Sequence, residues 1–242
     1  MDGDECWKPT VIPNALPPPV VEAWRAELAD SARAQEWKIY KWLRHREQDP
    51  QVDLVSQTIE AACRALSHSS AAFASTWAES AGVEVWAQCR AAGNGMHFHW
   101  DVDEALGRMK GETRCPWLSV VCYLSSAGGP TLCIDQRPQD AFGRIVRHAL
   151  AWPVAGSLFA MPGNRLHGVL AEIGAPTAGD AVRFTLILNF WHAQPLGAKT
   201  PRAGLAPAAA LVIADDASAG SCAAAGGEGA RRRGVVVTLL DS

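Results

Sequence analysis

Residues 182–191 read "VRFTLILNFW", an apolar run rich in β-branched and aromatic residues, the composition that suits a half-buried strand. Shorter runs of the same texture precede it: "EVWAQCRA" (84–91), "WLSVVCYL" (117–124), "PTLCI" (130–134), "GSLFAM" (156–161) and "HGVL" (167–170). Turns carrying Gly, Pro or Asn separate them. Upstream the texture is helical. "PPPVVEAWRAELADSA" (17–32) has apolar residues at helical spacing after a proline-rich start, predicting a helix from about residue 19. "VSQTIEAACRALSHS" (55–69) predicts a second helix, continuing or restarting through "AAFASTWAESAG" (71–82). Helices followed by many short strands point to a mainly β fold, a sandwich or barrel buttressed by N-terminal helices, and away from a doubly wound sheet.

The chain divides at about residue 197. Residues 1–196 hold enough apolar material for one large domain, with the β core at about 84–192. Residues 197–242 are rich in Ala and Gly, have no period, and are expected to be a disordered tail. The arginines at 231–233 in that tail read as solvated charge, and "VVVTLL" (235–240) as a segment whose docking the sequence leaves open.

Composition narrows the function classes. Hydrophobic residues make up 48% of the chain and charged ones 19%, and the net charge is −3, so no basic surface invites nucleic acid or an anionic membrane. The N-terminus "MDGDECWKPTVIPNAL" lacks the order of a signal peptide, and no apolar run is long enough to span a bilayer. A soluble, intracellular, cytoplasmic protein is expected. The seven cysteines are odd in number and lack CxxC spacing, which favours buried free thiols over a disulfide frame. The ten tryptophans suggest broad aromatic walls in a core or cleft, with Trp100, Trp117, Trp152 and Trp191 near the strands of interest.

The densest chemistry lies in residues 93–104, "GNGMHFHWDVDE". In an extended chain His97, His99, Asp101 and Asp103 point one way, and Phe98, Trp100 and Val102 the other. Residues two apart on a strand converge well on one ion, which leaves the pairs His97/His99, His99/Asp101 and Asp101/Asp103 open, beside a simple polar strand end facing water. A further ligand must come from elsewhere. His167 is the best candidate, since it opens a strand after a Pro-Gly-Asn turn in otherwise apolar surroundings, whereas His45, His68, His148 and His192 read as surface or packing residues.

Two families resemble this pattern. Cupins resemble it through His97, His99, Glu104 and Gly111, and through Gly156, Pro162 and His167, although Ala91 and Asn164 stand where glycines are expected and the gap between the motifs is long. That resemblance implies a metalloprotein liganded by His97, His99, Glu104 and His167. The chain is more closely similar to the Fe(II)- and 2-oxoglutarate-dependent dioxygenases, in particular their prolyl-hydroxylase-like branch. The similar landmarks occur in order: "TVIPNALPPPVVEAW" (10–24), His99-Trp-Asp101, "CYLSSAGGPTLCID" (122–135), "WPVAGSLFAMPGNRLHGV" (152–169) with His167, and Arg183-Phe-Thr185. They span about residues 10–192.

This second resemblance implies a double-stranded β-helix and an iron held by His99, Asp101 and His167. It also implies that 2-oxoglutarate is held by Arg183, Thr185 and Tyr123, with O2 as co-substrate and ascorbate as an optional reductant. Two histidines and a carboxylate leave open positions on Fe(II) for the keto acid and O2. A guanidinium grips the far carboxylate through paired, charge-assisted hydrogen bonds. A cupin has no standing need for the Arg/Thr pair. The implied reaction hydroxylates a protein side chain, such as a prolyl, or a small molecule, with succinate and CO2 as co-products. In the AlkB-like demethylase branch a second arginine stands where this chain has Asn189, and with the negative net charge this argues against nucleic acid. A non-catalytic barrel binding module is the remaining alternative. His167 and Arg183 are 16 residues apart, wider than is usual in that family, and "AEIGAPTAGDAV" (171–182) between them reads as a lengthened hairpin loop, a cheap insertion. On this reading His97 stands behind or beside the ligands, Asp103 and Glu104 orient the site or face solvent, and Trp100 packs.

Overall fold

The run at residues 182–191 becomes a central strand of the larger sheet. In this computed structural model, which describes residues 9–38, 41–44, 53–140, 145, 147–171 and 182–198, ten strands and five helices follow one another. The strands are β1 (Thr10–Ile12), β2 (Lys41–Arg44), β3 (Gly82–Ala91), β4 (Met96–His99), β5 (Leu118–Tyr123), β6 (Thr131–Ile134), β7 (His148–Ala151), β8 (Leu158–Pro162), β9 (Leu166–Val169) and β10 (Val182–Trp191). The helices are α1 (Pro18–Ala29), α2 (Ser31–Glu36), α3 (Leu54–Ser69), α4 (Ala71–Ala78) and α5 (Glu104–Lys110). The expected helices and β-type runs are all present, with α4 a restart after α3. Strands β2 and β7 and helices α2 and α5 are additions that the sequence reading did not make.

The strands form two antiparallel sheets, six-stranded in the order β1-β8-β5-β10-β3-β2 and four-stranded in the order β4-β9-β6-β7. From β3 to β10 the chain passes back and forth between the sheets, apart from the β6–β7 hairpin. That winding is the double-stranded β-helix of jelly-roll proteins. β10 pairs along all ten residues with β3 and along its middle with β5.

Alternation along the strands separates two environments. Val83, Val85 and Ala87 of β3, Leu118 and Val120 of β5, and Leu186, Leu188 and Phe190 of β10 face the helices. α1 contributes Val20, Val21, Trp24 and Leu28, and α3 contributes Leu54, Val55, Ile59, Ala62 and Leu66. α3 starts where Asp53 accepts the Ser56 N–H at 2.8 Å, a cap that satisfies a helix-end donor. The Trp24 indole donates to Thr58 Oγ1 at 2.7 Å and ties α1 to α3. The opposite face, with Val121, Tyr123, Phe159 and Met161, packs on Cys133, Ala149 and Ala151 of the smaller sheet. The functional residues lie on this second face.

Among the described residues no helix is long and apolar enough to cross a membrane. Cys63, Cys89, Cys115, Cys122 and Cys133 are free thiols, as expected. Burial pushes all five up, Cys115 to about 11 and Cys133 to about 12, which keeps them protonated and unreactive at neutral pH. Cys6, Cys222, His45, the loop residues Gly174, Pro176 and Gly179, and the tail from residue 199 lie outside the described residues.

Candidate metal centre

β4 lies beside β9, and the antiparallel register sets His99 opposite His167. Close approach is possible because position 168 is glycine. A Cβ there would come within 2.9 Å of the Met96 carbonyl and within 3.2 Å of Phe98. The two imidazoles meet with ring centroids 4.4 Å apart, and the Asp101 carboxylate completes the group. Its Oδ1 is 3.7 Å from His99 Nε2 and its Oδ2 is 3.7 Å from His167 Nε2. One ligand atom from each of the three lies within 4.8 Å of the others, and no other such trio of His, Cys, Asp or Glu occurs among the described residues.

The protons in this cluster are already committed. His99 Nδ1 is 2.9 Å from the His97 carbonyl and His167 Nδ1 is 3.0 Å from the Arg165 carbonyl. A carbonyl accepts only, so each Nδ1 is the donor in these contacts, which leaves Nε2 as the nitrogen that faces the cluster. Burial also holds the His167 imidazole below its ordinary value, against the pull of the Asp101 charge. Two imidazole Nε2 atoms and a carboxylate converge here, and that donor set suits Fe(II) with open positions. The Ser119 hydroxyl donates to Asp101 Oδ2 at 2.8 Å and orients the carboxylate. Ser119 is a small polar residue on the inward face of β5, beside Val121 and Tyr123. The sequence held that signal, but it went unread.

One cavity runs from the trio to Arg183. Val121, Met161, Val169 and Ile187 make apolar walls, and Thr131, Thr185 and Gln88 bring polar groups. Its aromatic wall is Trp86, not the four tryptophans singled out from the sequence. Arg183 is buried at 3% exposure. It donates through Nη1 to the Gly129 carbonyl and through Nη2 to Thr131 Oγ1 at 3.0 Å. No carboxylate meets it among the described residues, and desolvation pulls its pKa down. Gly128, at φ +88°, lets the arginine stem pass, since a Cβ there would sit 3.1 Å from Arg183 Cδ.

Tyr123 sits one layer behind. It is fully buried, its hydroxyl donates to Thr131 Oγ1 at 2.8 Å, and the Arg183 guanidinium lies over its ring. It supports the polar end of the cavity through Thr131 and Arg183, while Thr131 and Thr185 line the cavity itself.

The remaining acidic and imidazole groups of residues 97–104 separate because the extended run stops at His99. His97 is exposed and serves through its carbonyl. Glu104 is exposed on α5 and pairs with Arg108 at 2.9 Å, and Gly111 caps the same helix. The cupin-type set is therefore not assembled. Asp103 needs correction. It neither orients the trio nor faces solvent, but is 3% exposed, caps α5 at the Leu106 N–H and accepts from Leu196 N and Arg114. Burial pushes its carboxyl up, but the two N–H groups and the guanidinium outweigh this and hold it below the usual carboxylate range. Beyond Ser119 the register places Asn189 and then Glu84 in the same row. Burial, with the Asp101 charge beside it, raises the Glu84 carboxyl to about 8, against a weaker opposing pull from Trp191.

No family model matches the chain, and no curated protein matches it in sequence. Solved structures are similar in outline. A Pseudomonas putida prolyl-4-hydroxylase is 19% identical with a TM-score of 0.47, covering 77% of this chain and 88% of that one. SnoN, a non-heme alpha-ketoglutarate dependent epimerase from nogalamycin biosynthesis, is 14% identical with a TM-score of 0.45, covering 84% and 86%. HygX from Streptomyces hygroscopicus, solved with iron bound, is 13% identical with a TM-score of 0.42, covering 84% and 92%.

Proposed function

We propose that this protein is an Fe(II)- and 2-oxoglutarate-dependent oxygenase that hydroxylates a protein side chain or a small molecule. The observation that carries the reading is one cavity with two complementary ends. At one end three metal-ligating groups converge, and at the other a buried guanidinium has no carboxylate partner among the described residues. A buried cation without a counter-ion is costly, and a small keto acid bearing a second carboxylate satisfies both ends at once. Arg183 and Thr185 would hold that carboxylate, with Tyr123 holding Thr131 and Arg183 from behind. His99, Asp101 and His167 would hold the iron. Bound together, iron and 2-oxoglutarate supply the oxidising power drawn from O2, with succinate and CO2 as co-products. The apolar walls keep water from the carboxylate clamp and strengthen its hydrogen bonds. We assign this activity to residues 1–196.

The test is anaerobic titration with Fe(II) and 2-oxoglutarate. A charge-transfer absorption band is expected in the wild type and absent from Asp101→Ala and Arg183→Ala. A band that survives Asp101→Ala but disappears in His97→Ala would overturn the ligand assignment. Succinate release in air separates an enzyme from a binding module that only retains the site.

A further inference from the structure

The two ligand-bearing segments, β4 with the residues that follow it and β9, meet at one backbone corner just past β6. The Trp100 indole, between His99 and Asp101 in the chain, donates to the Gln136 carbonyl at 3.0 Å. The same carbonyl accepts the N–H of Leu166, the residue before His167, at 2.9 Å. The neighbouring Asp135 carboxylate meets Arg165 Nε at 3.0 Å and Arg147 Nε at 2.9 Å. Arg165 supplies the carbonyl that receives His167 Nδ1. The corner is itself held, by Asp135 N on the Arg147 carbonyl at 2.9 Å and Gln136 N on the Ile134 carbonyl at 2.7 Å.

We propose that the Asp135–Gln136 corner, gripped by Trp100 and Arg165, is a positioning hub that sets the spacing of the His99–Asp101 pair against His167. The inference rests on the metal reading above and assigns Trp100 and Asp135 a role as positioning residues. A direct β4–β9 ladder alone leaves this spacing loose, because the β4 register shifts between Met96 and His99. The Gln136 carbonyl supplies the missing constraint. It ties the stretch beyond the end of β4 to the first residue of β9. Partners of this outer kind are worth about 10–100-fold in metal affinity.

Co(II), whose visible spectrum reports ligand geometry, is the probe, used anaerobically with the full chain. Trp100→Phe keeps the ring and removes the N–H, and Asp135→Asn weakens the grip on Arg165. Trp117→Phe is the control, since it also loses one indole hydrogen bond, to Ser80 Oγ at 2.7 Å, away from the ligands. Trp100→Phe and Asp135→Asn are each expected to weaken Co(II) binding about 10-fold and shift the d–d bands. Trp117→Phe should change the melting temperature alone. Wild-type affinity and spectrum in the first two variants would overturn the hub, and if Trp100→Phe fails to fold, Asp135→Asn carries the same test. A wild-type protein that binds no Co(II) would instead overturn the metal reading on which the hub stands.

Discussion

The two faces of the larger sheet use the same strands for opposite purposes. Along β10, Leu186, Leu188 and Phe190 pack on the helices, while Arg183, Thr185 and Ile187 line the cavity. The helix-side face is apolar and closed, so its side chains contribute stability in proportion to what they bury. The cavity side carries a buried cation, a carboxyl raised far above its ordinary value and three converging polar ligand groups. Each of these costs free energy to bury. A site is built where stability is given up.

This contrast can be broken by substitutions on either face. The largest expected effect is on the helix side. Leu188→Ala should destabilise by about 2–5 kcal/mol in denaturant unfolding while leaving Co(II) affinity unchanged. A change in metal affinity as large as the loss of stability would show that the faces are not independent. On the cavity side, Arg183→Met should weaken 2-oxoglutarate binding by about 2–5 kcal/mol in calorimetric titration, with no loss of stability in the ligand-free protein. A fall in stability would mean that the guanidinium is a structural strut.

Glu84→Gln sharpens the same point through pH. With the folded pKa raised to about 8, the metal-free protein keeps a proton that the unfolded chain has already released. Folding then takes up a proton, and stability is lost as pH rises from the ordinary carboxylate range towards 8. The variant should gain on the order of 1–3 kcal/mol near neutral pH, a gap that closes on acidification. A gap that does not vary with pH would remove the charge explanation. Asp103→Asn is the counter-case and the smallest effect, a loss of about 1–2 kcal/mol at neutral pH. Here the folded pKa is depressed. The carboxylate therefore stabilises above about pH 4, and that advantage fades as pH falls below it. The difference between wild type and variant should shrink in acid, measured by the melting temperature from pH 7 down to 3.

Much of this molecule was legible because its signals are local. The β-type runs, the helical spacing of α1 and α3, and the order His99-Trp-Asp101, His167, Arg183-Phe-Thr185 each lie within a few residues, where alternation and propensity act. α5 escaped because it is one short helix, started by Asp103 and stopped at Gly111 with φ +70°, inside a stretch whose acids looked like ligands. Asp103 was misread for the same reason, since its partners Arg114 and Leu196 lie far along the chain.

The sequence by itself determined which side chains could hold a metal and an anionic ligand, because those chemistries belong to residue types. Only the tertiary structure decided which of them do so together. Strand pairing puts His99 opposite His167. The end of β4 releases Asp101 to swing between them under Ser119, and Gln136 offers one carbonyl to Trp100 and Leu166. Such choices depend on contacts between residues distant in the chain, and no local pattern encodes a register.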